Sequence, residues 1–340
     1  MVLLRKILFP FAAIYGFITG MRNYFYDKGI FRSTTFNIPV IAVGNLSVGG
    51  TGKSPQIEYL LRLLTPNYKV ATLSRGYKRK TSGFVLADKS SNAETLGDEP
   101  FQFHRKFPDI LVAVDADRTN GIQKLLEQPR KPDVILLDDA FQHRKVHAGF
   151  YILLTVFNDL YVDDFLLPTG NLRESRRGAK RADIIIVTKC PSDLSEAQQN
   201  VIRYKMRLKS HQQLFFSFID YDDSVCSDVR NISVDELKNQ KKLLVAGIAK
   251  PKPFFDYLNS GSDEILEFPD HHHFSDSDIL EIAKKANGNP IVTTEKDYVR
   301  LQNSGLENVY YLPIKSTLTS GADQFDKTIL DYVGKSTTDR

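Results

Sequence analysis

A glycine-rich turn constrains the fold more than any other feature. The stretch VGNLSVGGTGKSP (residues 43–55) joins an apolar, β-branched run to an amphipathic one. Gly49, Gly50 and Gly52 can adopt backbone angles closed to other residues, so that successive N–H groups face one concavity that binds phosphate oxygens. The positive end of the following helix adds to this attraction. The sequence therefore predicts a phosphate-binding loop between a strand and a helix.

The loop departs from the usual GxxxxGK[ST] spacing at two points. Ser47 stands in place of the first glycine, and Pro55 follows the serine where a helix begins. Proline is compatible with that position, because the N–H groups of a helix's first turn have no intrahelical partner. We predict that Lys53 reaches the β- and γ-phosphates and that Ser54 ligates magnesium. The predicted nucleotide-binding residues of the loop are Gly49, Gly50, Thr51, Gly52, Lys53 and Ser54.

The rest of the chain alternates between β-branched runs and amphipathic stretches. This order predicts an α/β fold, in which a mostly parallel sheet forms a phosphate-loop NTPase core. A second alternating set begins at KKLLVAGI (241–248) and predicts a smaller C-terminal α/β lobe. The predicted organisation is an N-terminal interfacial helix, the core, a connector and the C-terminal lobe, with bounds 1–32, 33–212, 213–232 and 233–340.

The N-terminus carries an uncharged run, ILFPFAAIYGFITGM (7–21), between basic residues. It is shorter than the roughly 20 apolar residues that a spanning helix needs. A signal peptide has a similar pattern, but an exported protein would rarely meet a nucleotide. One stripe of the helical wheel predicts a helix in a membrane interface, and it contains Leu4, Leu8, Phe11, Tyr15, Ile18 and Phe25. A helix packed on the protein's own core is the alternative. Three basic residues would lie near anionic headgroups: Arg22, Lys28 and Arg32.

Composition argues against several classes of partner and site. A formal net charge of +4 is too small to indicate nucleic-acid binding by itself. Cys190 and Cys226 are the only cysteines and form no CxxC pair, which argues against disulfides and structural zinc. We therefore predict a reducing compartment and no nucleic-acid partner, and we infer no protein partner.

A pair of carboxylates follows another buried strand. In PDVILLDDAFQH (132–143) an apolar run ends in Asp138 and Asp139. Adjacent aspartates also occur in ordinary turns. The carboxyl ends of parallel strands lie at one edge of a sheet, however, and these two are predicted to lie beside the phosphate loop as magnesium ligands.

Taken together, the motifs resemble the tetraacyldisaccharide 4'-kinases of lipid A synthesis. GNLSVGGTGKSP, LSRGY, GDEP, DADR, DDAFQH, LPTGNLRE, FPDHHHF and TTEKDYVRL occur in this order between about residues 38 and 301. Ala140 stands where the family usually has glycine. The resemblance implies that ATP and Mg²⁺ are used to phosphorylate the 4'-hydroxyl of an acylated disaccharide lipid. It also implies peripheral attachment at the cytoplasmic face of the bacterial inner membrane.

The resemblance further implies roles for individual residues. Asp98 in GDEP opens a helix, where the sequence alone favours an N-cap. In the family this aspartate is the catalytic base and works with the histidine after PD, here His271. Neighbouring histidines seldom converge on one metal ion, which argues against a transition-metal site at HHH. The resemblance also places Glu174 near magnesium and Arg173 beside the phosphates, and Lys53 acts in catalysis. Arg75, Tyr77 and Arg118 follow strands at the edge where ligands bind, which favours contact with the substrate's 1-phosphate or the transferring phosphoryl group, although a single arginine is more often a solvated surface residue.

The residues, taken without the resemblance, leave two other functions open. A metallochaperone-type phosphate-loop GTPase would use the histidines as a metal cluster and would need guanine selectivity, for which VTKC (187–190) is a poor match to NKxD. A nucleotide-sensing membrane adaptor would bind ATP without turnover. Incubation with labelled ATP and the tetraacyl disaccharide distinguishes the three.

Overall fold

The computed structural model describes residues 5, 7–270, 272–301 and 304–338 and contains two β-sheets. The strands are β1 Val40–Asn45, β2 Val70–Ser74, β3 Val85–Leu86, β4 Leu111–Val114, β5 Val134–Asp138, β6 Phe150–Val156, β7 Ile184–Thr188, β8 Gln213–Tyr221, β9 Ser224–Cys226, β10 Asn231–Ser233, β11 Leu243–Ala246, β12 Glu264–Glu267, β13 Ile291–Thr294, β14 Val309–Leu312 and β15 Ile314–Leu318. The helices are α1 Phe9–Asp27, α2 Lys53–Leu64, α3 Ala93–Leu96, α4 Asp98–Lys106, α5 Arg118–Leu126, α6 Glu196–Met206, α7 Val234–Lys238, α8 Lys252–Leu258, α9 Asp276–Ala286, α10 Glu295–Leu301 and α11 Ala322–Thr338, with a 3₁₀ turn at Arg176–Arg181.

The larger sheet has nine strands in the order β15-β8-β7-β6-β1-β5-β2-β4-β3. Its inner strands are parallel, whereas β15 and β3 pair antiparallel at the two edges. Alternate side chains of β1 pack in two hydrophobic clusters on opposite faces of the sheet. Ile41 and Val43 belong to one cluster, and Val40 and Ala42 belong to the other. A sheet buried on both faces reads as a continuous apolar run, which is why these strands are evident from the sequence.

The smaller sheet forms the C-terminal lobe, in the order β10-β9-β14-β13-β11-β12. Strands β14, β13, β11 and β12 are parallel, while β9 and β10 add an antiparallel edge. The α/β class, the mostly parallel sheet and the smaller second lobe predicted from the sequence are thus confirmed.

The chain returns to the core after the lobe, and here the structure differs from the predicted bounds. Residues 213–221, assigned above to a connector, form β8 of the nine-stranded sheet. Residues 314–318, assigned to the C-terminal lobe, form β15 and pair with β8. Helix α11 then buries Phe325, Ile329 and Val333 in the core. Strand β15 contacts β8 only after a crossing of about a hundred residues, and local patterns do not report such pairings.

Helix α1 lies on the surface of the core through its small and polar side chains. Ala12 is buried, and a side chain at Gly16 would lie 2.6 Å from Leu166 Cδ1. The large apolar side chains face outward, with Phe11 62% and Phe17 68% exposed. In the described part of the chain, no helix has the length and apolar character required to cross a bilayer.

Candidate active site

The glycine-rich turn forms the loop that its sequence predicts. Strand β1 ends at Asn45 and α2 begins at Lys53, after Gly52 as N-cap. Gly49 and Gly52 have φ angles of 109° and 86°, in the region that favours glycine. Pro55 lies in the first turn of α2, where it removes no helical hydrogen bond.

The end of β7 supports this loop from one side. The Thr188 hydroxyl donates to the carbonyl oxygen of Thr51 at 2.8 Å, and Lys189 Nζ donates to that of Gly50 at 2.7 Å. The VTKC segment considered above as a base-recognition motif therefore contacts the backbone of the phosphate loop.

Asp138 lies directly beside the loop, because β5 pairs with β1 so that Asp138 is opposite Val43. Its carboxyl is 4% exposed and accepts a hydrogen bond from the Ser74 hydroxyl at 3.3 Å. Its Oδ1 has no hydrogen-bond partner among the residues that the structure describes. Burial, and then the negative charge of Glu99, raises the pKa of Asp138 to about 7. A bound cation would stabilise the charged form of this buried carboxyl.

Asp139 adopts a positive φ of 47°, which turns its side chain toward the cations of the site. Its Oδ1 is 3.6 Å from Lys53 Nζ and 2.8 Å from an Arg173 nitrogen, and a second Arg173 nitrogen donates to Oδ2 at 3.1 Å. Burial alone would raise its pKa, but hydrogen bonds from Arg173 and the charge of Lys53 lower it. The site thus holds one carboxylate with a raised pKa next to one with a lowered pKa.

Glu174 is buried and held by three donors. Arg181 donates to it at 2.8 and 3.0 Å, Gln142 Nε2 at 3.0 Å and Asn23 Nδ2 at 2.7 Å. The same Gln142 nitrogen donates to the carbonyl oxygen of Asn45 at 2.9 Å. These bonds fix Glu174 beside the end of β1.

Helix α4 brings two further carboxylates to the loop. Glu99 Oε1 accepts a hydrogen bond from the Ser54 hydroxyl at 2.9 Å and pairs with Lys296 of the C-terminal lobe at 2.7 Å. The charge of Lys296 lowers the pKa of Glu99 to about 2, against the opposing effect of burial. Asp98 Oδ2 accepts two hydrogen bonds from Arg300, from Nη2 at 2.7 Å and from Nε at 3.1 Å. Both acidic side chains are therefore held by α10. The N-cap that the sequence alone favoured at Asp98 is wrong: Gly97 is the N-cap of α4, and it makes no side-chain cap hydrogen bond.

The predicted histidine partner of Asp98, His271, lies outside the described residues. His272 is engaged elsewhere, since its Nε2 is 2.9 Å from Asp278 Oδ2 and its ring stacks on Phe268. Across the described ranges, no group of three or more His, Cys, Asp or Glu side chains is arranged to hold a metal ion.

The three predicted substrate residues occupy different environments. Arg75 follows β2 and is exposed, and Tyr77 is 68% exposed. Arg118 is buried, and its Nη2 donates to the carbonyl oxygen of Asp138 at 3.2 Å. Arg75 and Tyr77 are thus exposed, whereas Arg118 supports the backbone at Asp138.

Several side chains at the site carried no predicted role. Glu99, Lys296 and Arg300 belong to the motifs GDEP and TTEKDYVRL, so a signal for them existed. Asn23 lies on the face of the N-terminal helix opposite the predicted apolar stripe. The predicted place of Tyr15 within that stripe is wrong, because its hydroxyl bonds to the Arg173 carbonyl on the core. The two carboxylates of GDEP and the two cations of TTEKDYVRL are complementary in charge, which would have indicated a contact between the motifs.

Comparisons with known proteins agree over nearly the whole chain. A family model described as tetraacyldisaccharide-1-P 4'-kinase matches residues 4–334. Proteins named tetraacyldisaccharide 4'-kinase are 66% identical in Flavobacterium johnsoniae, with 98% of both chains covered, and 45% identical in Bacteroides thetaiotaomicron, with 98% of this chain and 94% of the relative covered. The crystal structure of LpxK from Aquifex aeolicus in complex with ATP matches with a TM-score of 0.80 and 34% identity, covering 97% of this chain and 99% of that one.

Proposed function

The chain belongs to the tetraacyldisaccharide-1-P 4'-kinase family, and we propose which of its residues carry out the reaction. It is an ATP-dependent tetraacyldisaccharide 4'-kinase of lipid A biosynthesis. This identity takes the place of the metallochaperone GTPase and adaptor alternatives. The observation that carries the residue assignment is the 3.6 Å approach of Lys53 to Asp139 at the mouth of the phosphate loop.

Lys53 and the loop backbone are proposed to bind the triphosphate. The positive φ angles of Gly49 and Gly52 suit a turn whose N–H groups face phosphate oxygens. Asp139 faces the Lys53 ammonium at 3.6 Å and is itself held by Arg173 at 2.8 Å. A fixed cation at this point stabilises the charge of the transferring phosphoryl group more than that of bound ATP.

The side chains beside the loop fit a bound Mg²⁺. Asp138 has a buried, unpartnered oxygen and a pKa raised to about 7 by burial, and a cation would reverse that effect. We assign Asp138, Asp139 and Ser54 to the ion, since Mg²⁺ takes few protein ligands and completes its shell with water and phosphate. When bound, Mg²⁺ neutralises charge on the phosphate oxygens. Glu174, predicted as a further ligand, is only 3% exposed and accepts bonds from Arg181, Gln142 and Asn23, which favours a supporting role, whereas Asp139 is 39% exposed.

Asp98 is proposed as the base that accepts the proton of the 4'-hydroxyl. The hydroxyl oxygen forms a bond to the terminal phosphorus, the bond to the bridging oxygen of ADP breaks, and the proton passes to the Asp98 carboxylate. Arg300 fixes that carboxylate through two hydrogen bonds. His271 remains the proposed partner that shares the proton.

Arg75 and Tyr77 are the proposed contacts to the lipid's disaccharide 1-phosphate. Both are exposed at the edge of the sheet where ligands bind in such folds. Arginine suits a phosphate because its planar fork can hold two oxygens. Arg118, buried under the Asp138 carbonyl, is proposed to act through that backbone.

The outward face of α1 is proposed to attach the enzyme to the cytoplasmic face of the inner membrane. Ile14 is 59% exposed and Ile18 57%, alongside Phe11 and Phe17, which makes a continuous apolar face on one helix. An amphipathic helix of this kind inserts its apolar side between headgroups, and basic residues strengthen the attraction to anionic lipids. A peripheral location also gives the site access to a lipid substrate.

The proposal is tested with labelled ATP, Mg²⁺ and tetraacyldisaccharide 1-phosphate. We expect label in the lipid product, loss of transfer on chelation of Mg²⁺, and little activity for a folded Lys53→Ala variant. Near-normal turnover of Lys53→Ala would contradict the phosphate-loop assignment. Binding of the protein to anionic vesicles, measured by co-sedimentation, tests the membrane assignment separately.

A further inference from the structure

The inner face of α1 is joined to two active-site residues by side-chain hydrogen bonds. Tyr15 Oη donates to the backbone carbonyl of Arg173 at 2.8 Å, and Asn23 Nδ2 donates to Glu174 Oε2 at 2.7 Å. Arg173 and Glu174 are adjacent in the chain, so the helix holds both the backbone and a side chain of one short segment.

That segment leads directly to the phosphate loop. Arg173 donates two hydrogen bonds to Asp139 and one to the carbonyl oxygen of Asn45 at 3.1 Å. Asp139 in turn faces Lys53 at 3.6 Å. From Tyr15 to Lys53, each consecutive step is thus a hydrogen bond, a covalent neighbour or an ion pair.

A helix that served only as an anchor would need none of these bonds. Its attachment to a membrane depends on the outward apolar face, which contributes nothing to the segment at Arg173. Glu174 is 3% exposed, so water barely reaches it, and without Asn23 its Oε2 keeps a single donor, Arg181 at 3.0 Å. Loss of the Asn23 bond would therefore be met by movement of Glu174 and of its neighbour Arg173.

We propose that α1 is part of the catalytic centre, and that Asn23 is a positioning residue that acts through Glu174 and Arg173 on Asp139 and Lys53. The inference rests on the proposed placement of Arg173 and Lys53 at the phosphates. It assigns the two faces of one helix to two tasks: the outward face sets how well the enzyme engages the lipid surface, and the inward face sets turnover.

The test compares Asn23→Leu, which keeps the size of the side chain but removes the donor, with Phe17→Ser on the outward face. In mixed micelles, we expect Asn23→Leu to lower kcat about tenfold, with KM for the lipid and binding to anionic vesicles within twofold of wild type. Phe17→Ser should show the reverse, with weaker vesicle binding, a raised KM and little change in kcat. Ala13→Ser, at an exposed position of α1, is the matched control and should change none of these values.

Tyr15→Phe removes a single hydroxyl and provides a second variant should Asn23→Leu have a lowered thermal midpoint. We expect a two- to fivefold lower kcat for it. Values of kcat within experimental error of wild type for both Asn23→Leu and Tyr15→Phe would overturn the inference, while an inactive wild-type enzyme would instead refute the proposed function. A kcat that falls only together with vesicle binding would also overturn it, because the helix would then act as an anchor alone.

Discussion

Two helices hold the phosphate-loop core from opposite ends of the site, and they use different chemistry. Helix α1 holds Arg173 and Glu174 through uncharged donors, the Tyr15 hydroxyl and the Asn23 amide, while its ion pairs with Arg144 and Lys180 are made by Asp27, its last residue. Helix α10 of the C-terminal lobe contacts the core through charged pairs, Lys296 with Glu99 and Arg300 with Asp98, at 2.7 Å each. Helix α1 supports the segment at Arg173 and Glu174, whereas α10 supports the proposed base and, through Glu99, Ser54.

The difference indicates which helix contact changes its protonation with pH. Tyr15 and Asn23 keep their protonation between pH 5 and 8, so the α1 contact is constant over that range. The α10 contact contains a buried group whose protonation changes near neutrality. Lys106 pairs with Glu58 at 2.7 Å and with Glu295 at 2.6 Å, and burial, then the charge of Glu58, raises the pKa of Glu295 to about 7. The lobe contact is therefore the pH-dependent one.

The largest expected effect lies on the charged side, at Asp98. Asp98→Ala and His271→Ala should each lower kcat by roughly 10² or more, with little change in KM for ATP, because both are proposed to accept one proton as a unit. The double variant should be hardly slower than the slower single one. Steady-state kinetics of all three measure this.

His272→Ala and His273→Ala are the controls for that experiment. Full activity of His271→Ala with loss in either control would move the partner role to the other histidine. If Asp98→Ala and all three histidine variants keep the wild-type kcat, Asp98 is only a structural partner of Arg300, and the two helices do not differ in their importance for catalysis.

A smaller effect is expected at Arg300. A conservative substitution there tests the contrast between the two helices, because it keeps the charge of the side chain and changes its geometry. Arg300→Lys retains a cation but cannot donate from two nitrogens of one planar group to Asp98 Oδ2. We expect about a tenfold lower kcat and a larger loss for Arg300→Met. Arg230→Lys, in the same lobe and bonded to Tyr310, is the matched control. Equal activity of Arg300→Lys and wild type would show that only the charge matters.

The smallest expected effect concerns stability and pH. In the folded state Glu295 holds a proton up to about pH 7, whereas the unfolded chain releases it near 4.5. The folded state binds more protons over this interval, so stability falls as the pH rises through it. The free energy of unfolding of wild type relative to Glu295→Gln should therefore decrease by about 2 kcal/mol between pH 5 and 8.

Urea unfolding at several pH values measures this difference. Glu281→Gln, an exposed carboxylate of the lobe paired with Lys285, should give no such trend. A flat difference between wild type and Glu295→Gln would place the pH response elsewhere and would remove this distinction between the two helices.

The sequence predicted most of what lies at the carboxyl ends of the inner strands. The phosphate loop, the start of α2 at Lys53 and the strand that ends in Asp138 follow from local patterns, because a doubly buried strand and a glycine-rich turn each have a signature of their own. Asp139 lies beside Lys53, as the two motifs predicted. Its positive φ, which sets the direction of the side chain, had no signal in the sequence.

What the sequence did not predict depends on contacts between distant segments. The ion pairs of Lys296 and Arg300 join residues about two hundred positions apart. The inward direction of Asn23 and Tyr15 depends on which face of α1 packs on the core, and the helical wheel had placed Tyr15 on the membrane side. The roles proposed for Asp98, His271, Glu174 and Arg75 stay predictions until the variants are measured.

The return of the chain to the core has a consequence for how the protein is made. Residues 222–313 enter and leave the C-terminal lobe beside the paired strands β8 and β15, where Tyr221 is opposite Ile314. The lobe is thus an insertion within the core. A ribosome would release the whole lobe before β15 and α11, whose Phe325 and Ile329 pack in the same cluster as Leu60 and Leu64. The nucleotide-binding half, although synthesised first, completes its folding last.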